Sequence, residues 1–136
     1  MILVINTSSE NAYIGIYDKK ILAELRWNVG KTLSADLLNK ISELFVKADS
    51  KIEEIAGIIA CSGPGSFTGL RIGISTANTI AYSLNVPIIG VSGNKNTDEF
   101  LKEGKVLLEK EKKNFGFPLE PAYGMQPSVT ISKKVF

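Results

Sequence analysis

The chain has 136 residues, 44% hydrophobic and 22% charged, a balance that supports one buried core and excludes wholesale disorder. Sixteen basic against fourteen acidic residues leave a net charge of +2, too little to recruit nucleic acid by long-range electrostatics. A single cysteine, Cys61, excludes an internal disulfide, and the lack of histidine removes both the usual Cys/His metal clusters and the commonest acid or base near neutral pH. The expectation is a cytoplasmic chain with no membrane span, no metal site and no catalytic residue of its own.

Ile2-Leu3-Val4-Ile5 is apolar on both faces, as a strand in the middle of a covered sheet requires, and it ends in the polar loop Asn6-Thr7-Ser8-Ser9. Ala12 to Tyr17 and Ile21 to Trp27 read as two further strands joined by Asp18-Lys19-Lys20, an antiparallel meander whose aromatics Tyr17 and Trp27 pack its faces. After Gly30, Ser34 is the expected N-cap of a helix reaching Ala48, with Leu37, Leu38, Ile41, Leu44 and Phe45 at helical spacing. Ala56 to Cys61 is the next buried strand, and Cys61 at its end reads as a small core residue.

A glycine-rich turn follows and opens a helix from about Thr68 to Leu84, which Asn85-Val86-Pro87 stops; Val86 to Val91 is then a third buried strand. Right-handed crossovers make the later strands parallel to the first and lay helices on the sheet, so the fold class is α/β: a three-strand antiparallel meander followed by α-β-α-β. Composition changes after Ser92-Gly93-Asn94. Asp98 to Asn114 reads as an amphipathic helix interrupted by Gly104, its Lys102, Lys105, Lys110, Lys112 and Lys113 alternating with glutamates as a solvated face. Phe115 to Phe136 reads as an extended tail with Val129-Thr130-Ile131 its only strand-like run. The expected division is one domain over residues 1–93 and, over 94–136, a helix and tail without an independent second domain.

Two features of the central segment bear on function. A strand running through Gly63, Gly65, Ser66 and Thr68 into a helix points backbone N–H groups and the positive end of the helix dipole at the space above the turn, a geometry suited to an anion or nucleotide. The same residues also make a plain tight turn with a cap, and no Gly-Lys-Ser or Gly-Lys-Thr completes a P-loop. In the helix, Gly69, Gly73, Ala77 and Ala81 recur every fourth residue, a smooth stripe that either seats the helix on its own sheet or receives a partner helix.

Gly63-Pro64-Gly65-Ser66-Phe67-Thr68-Gly69-Leu70-Arg71-Ile72-Gly73, with the opening Ile-Leu-Val-Ile-Asn-Thr-Ser-Ser in register, resembles the TsaB (YeaZ) family over residues 1 to 93. The resemblance implies an actin-like (ASKHA, ribonuclease H-like) domain. It also implies a non-catalytic partner subunit in bacterial tRNA N6-threonylcarbamoyladenosine synthesis, binding the TsaD catalytic subunit that modifies adenosine 37 of tRNA, with the ATPase TsaE completing the assembly. Docking is expected through Ser34, Leu38, Gly69, Arg71, Gly73, Ala77 and Ala81, on TsaD or on a second copy, with tRNA contacted only indirectly. No cofactor is expected to bind tightly, ATP or ADP being confined to a subunit interface. The sequence departs from the family at Asn6, where aspartate is usual, and after Ser92, where the second domain of relatives gives way to a charged helix and to Leu119-Glu120-Pro121-Ala122-Tyr123, which resembles the family's C-terminal tail. The alternative reading is a small actin-like nucleotide-binding or phosphotransfer enzyme using the turn at Ser62 to Thr68.

Overall fold

Among the described residues, five strands and three α-helices follow the hydrophobic pattern. The computed structural model describes residues 1–93, 96–110 and 118–120. β1 (Ile2–Asn6), β2 (Asn11–Asp18) and β3 (Lys20–Asn28) form the antiparallel meander. α1 (Leu33–Lys47) then crosses to β4 (Gly57–Gly63), and α2 (Phe67–Leu84) crosses to β5 (Ile88–Ser92). Both later strands run parallel to β1, giving one sheet in the order β3-β2-β1-β4-β5. α3 (Thr97–Lys110) follows.

The pleat divides the core in two. Leu3 and Ile5 of β1, Ile14 and Ile16 of β2, and Ile58 and Ala60 of β4 join Leu37, Ile41 and Leu44 of α1 and Ala77, Ile80 and Ala81 of α2. Their sequence neighbours Val4, Tyr13, Ile59 and Cys61 join Phe100, Leu101 and Leu108 of α3, together with Leu70 and Ile74 of α2. At about 25 cal/mol per Å2 of apolar surface, burying a side chain of Leu or Ile size is worth about 2 kcal/mol, so these clusters dominate the folding energy.

α3 approaches β4 closely because glycine stands on both sides of the contact. A β-carbon on Gly104 would lie 2.6 Å from Ile59 Cδ1, and one on Gly57 would lie 2.6 Å from Leu108 Cδ2. Gly104, read from sequence as an interruption of the helix, is the point where the helix touches the sheet.

Several boundaries differ from the sequence reading. α1 starts at Leu33 with Thr32 in the cap position, so Ser34 is an exposed residue of the first turn and not the cap. Thr32 Oγ1 lies within hydrogen-bond distance of both the Val29 carbonyl and the Asp36 carboxylate, which fixes the entry of the helix two residues earlier. Leu38, placed on the apolar face by spacing, is exposed. β5 starts at Ile88 because Val86 N–H donates back to Ala81 O, closing α2 through the left-handed Asn85, and Pro87 carries no N–H. α3 is described only to Lys110; the expected extension to Asn114, Lys112, Lys113 and the strand-like Val129-Thr130-Ile131 lie outside the described residues.

Candidate functional site

The turn between β4 and α2 meets the loop after β1, and the contact is close. Gly63 takes a positive φ of 121°, a region that disfavours side chains, and the bond to Pro64 is cis. A β-carbon on Gly65 would run into the carbonyl oxygen of Ser8. Ser66 N–H donates to that same Ser8 oxygen at 2.8 Å, and Ser66 Oγ accepts the Gly69 N–H at 3.2 Å as the helix N-cap. Two of the amides that an anion would need are therefore already bonded within the chain. Thr68 is exposed.

Asn6 acts on the same loop. Its Oδ1 accepts from Ser8 N at 3.0 Å and from Ser8 Oγ at 2.7 Å, an Asx-type turn that shapes the loop against which Gly65 rests. Among the described residues no group of three or more Asp, Glu, His or Cys side chains could hold a metal ion. No helix among them is long and apolar enough to cross a membrane.

Thr7 explains the first half of the small-residue stripe. It is the one buried polar residue in the described core, 3% exposed, and its Oγ1 donates to the Gly69 carbonyl at 2.6 Å. A β-carbon on Gly69 would meet the Thr7 carbonyl oxygen, and one on Gly73 would meet Thr7 Oγ1. Ala77 and Ala81 continue the stripe into the core shared with α1 and the sheet. All four residues face inward, so the expectation that Gly69, Gly73, Ala77 and Ala81 themselves form a docking face is corrected: their small size seats α2 on its own fold.

The outer surface of the helix pair has the opposite character. Leu38 and Val46 on α1 are 61% and 81% exposed, and Phe67 and Tyr82 on α2 are 50% and 85% exposed. Arg71, also exposed, lies over the Phe67 ring with its guanidinium carbon 5.4 Å from the centroid. Of the residues singled out from sequence, Ser34, Leu38 and Arg71 lie on this exterior. Val46, Phe67 and Tyr82 were missed; the signal available was large apolar residues at wheel positions that the buried stripes leave outside.

The remaining candidates are structural. Cys61 is buried in the second core cluster. Trp27 packs against the first cluster beneath Lys40, whose Nζ is 5.7 Å from the ring centroid, and its Nε1 is buried without a hydrogen-bond partner. Tyr17 packs against the second, with Lys105 Nζ 2.8 Å from its hydroxyl. Burial, and then Glu24 beside it, push the phenol of the buried Tyr13 above its ordinary range.

Comparison with known proteins agrees with the fold. The family model described as TsaD, tRNA N6-adenosine threonylcarbamoyltransferase, matches residues 28–95. The tRNA threonylcarbamoyladenosine biosynthesis protein TsaB of Buchnera aphidicola (subspecies Schizaphis graminum) is 33% identical over 92 residues, which are 68% of this chain and 44% of that protein. The protein of the same name from Bacillus subtilis is 34% identical over 92 residues, 67% of this chain and 40% of its own length. The solved structure of YeaZ from Pseudomonas aeruginosa superposes with a TM-score of 0.63 at 25% identity, covering 67% of this chain and 43% of that one. The chain thus spans less than half the length of the relatives it matches.

Proposed function

This chain belongs to the TsaB (YeaZ) family, and on that premise we propose that it serves tRNA threonylcarbamoyladenosine synthesis as a non-catalytic partner subunit, docking through the exterior of α1 and α2. The occupant is a TsaD-like catalytic subunit, with a second copy of this chain as its competitor. A TsaE-like ATPase joins through the assembly, tRNA is met only through it, and the setting is the cytoplasm.

The observation that carries this reading is the apolar exterior of the helix pair, where Leu38, Val46, Phe67 and Tyr82 stand in solvent. Scattered apolar residues are ordinary on a surface, but four large ones on two adjacent helices, bordered by Arg71, have the composition of an interface core. The inward turn of the small stripe strengthens the reading, since it leaves this exterior as the surface α2 offers to another molecule. The rival nucleotide-binding reading has less support, because Ser66 N–H and Gly69 N–H already have partners in the chain.

Co-purification with the TsaD-like protein from the same source tests the proposal. A stable complex with the wild-type chain, lost when Leu38→Asp and Tyr82→Asp are combined in a variant of unchanged circular dichroism, is the expected result. A complex indifferent to both changes removes this surface from consideration.

A further inference from the structure

Asn78 lies in the middle of α2, where asparagine is a poor helix former and needs a compensating contact. It finds one 41 residues away. Its Nδ2–H donates to the Leu119 carbonyl at 2.9 Å, and Leu119 N–H donates to its Oδ1 at 2.9 Å. A primary amide carries one donor side and one acceptor side, so it can bond both backbone groups of one extended residue, as a neighbouring strand would. The Leu119 side chain reaches β5 at Gly90, where a β-carbon would stand 2.7 Å from Leu119 Cδ1 and 2.9 Å from Ser62 Cβ. Pro118 lines the adjoining groove with Tyr82, Val86 and Ile88.

We infer that α2 and β5 form a receptor for an extended, leucine-bearing peptide segment, read through its backbone by Asn78 and through its side chain by the notch at Gly90, and that residues 118–120 are its resident occupant. The two contacts divide the work. The amide pair fixes backbone direction and register without regard to sequence, and the missing β-carbon at position 90 admits a branched aliphatic side chain. Glu120 is exposed and takes no part. The inference does not depend on the partner-subunit reading, because every group involved belongs to this chain.

Amide hydrogen exchange followed by NMR on the full chain tests it. Leu119 N–H in the wild type exchanges about tenfold or more slowly than in an unstructured peptide, and Asn78→Ala abolishes the protection. Asn78→Asp keeps the acceptor for Leu119 N–H but sets its second oxygen against the Leu119 carbonyl, so it retains only part of the protection, and unchanged circular dichroism of both variants separates the lost bonds from general damage to α2. Gly90→Ala releases Leu119 with Asn78 intact. As a second arm, the peptide acetyl-Phe-Pro-Leu-Glu-Pro-amide added to Leu119→Ser shifts the Gly90 amide resonance, and adding it to the Asn78→Ala, Leu119→Ser double variant does not. Unprotected Leu119 in the wild type, protection unchanged in Asn78→Ala, or a peptide response absent or independent of Asn78 overturns the receptor.

Discussion

The two sides of α2 are built from opposite materials. Inward stand Gly69, Gly73, Ala77 and Ala81, and against the first two lies Thr7, its hydroxyl bonded to a helix carbonyl. Outward stand Phe67, Arg71 and Tyr82, with Leu38 and Val46 on the neighbouring α1. Small residues let two backbones of one chain approach; large exposed ones present area that water leaves only when another surface arrives. The difference teaches that a smooth helical stripe marks close packing without naming the neighbour, and that burial is what shows the neighbour of this stripe to be the chain's own core.

The largest expected effect breaks the inner side. Gly73→Leu drives a β-carbon into Thr7 Oγ1 and a branched side chain into a filled core, and should cost about 3 kcal/mol or more, read as a fall in the midpoint of thermal or urea unfolding. The outer side should respond in reverse. Tyr82→Asp should alter stability by no more than about 0.5 kcal/mol. The same change should weaken the proposed complex by about 2 kcal/mol or more, some thirtyfold in Kd by isothermal titration calorimetry. If Gly73→Leu folds normally, or if Tyr82→Asp unfolds the chain, the assignment of the two sides is wrong.

Thr7→Val refines the inner contact. Valine keeps the shape and removes the hydroxyl, so Gly69 O loses its donor while the packing stays; the expected loss is about 1 kcal/mol by chemical denaturation. A loss near that of Gly73→Leu would mean that Thr7 positions the whole β1–β2 loop and does more than bond one carbonyl.

Much of this was legible in the sequence. The order of strands and helices follows from apolar runs and their periods, and a cap at the start of α2 follows from Ser66 and Thr68 ahead of an apolar helix, of which the structure uses Ser66, because both are local signals. The direction of the small stripe was not legible. Periodicity places Gly69, Gly73, Ala77 and Ala81 on one line, but whether that line meets Thr7 or solvent depends on the loop after β1, some sixty residues earlier. Thr32 and Ser34 both qualify as caps by residue type, and the choice between them was made by Val29 and Asp36. Asn78 and Leu119 carry no shared pattern at all, since a side-chain amide meeting a distant backbone leaves no spacing to read.

The smallest expected effect separates two meanings of the turn that begins α2. A cap and an anion site use the same residue, Ser66, but respond oppositely to added negative charge. Ser66→Ala should cost about 1 kcal/mol, since Gly69 N–H loses its acceptor. Ser66→Asp should restore that loss to within about 0.5 kcal/mol, because a carboxylate caps as well as a hydroxyl and is favoured at the positive end of the helix dipole. At a phosphate-binding turn the same aspartate would repel the ligand and abolish any ATP affinity measured by calorimetry. A chain whose stability and partner affinity are both unchanged by Ser66→Asp uses Ser66 as a cap that launches α2 and not as an anion ligand.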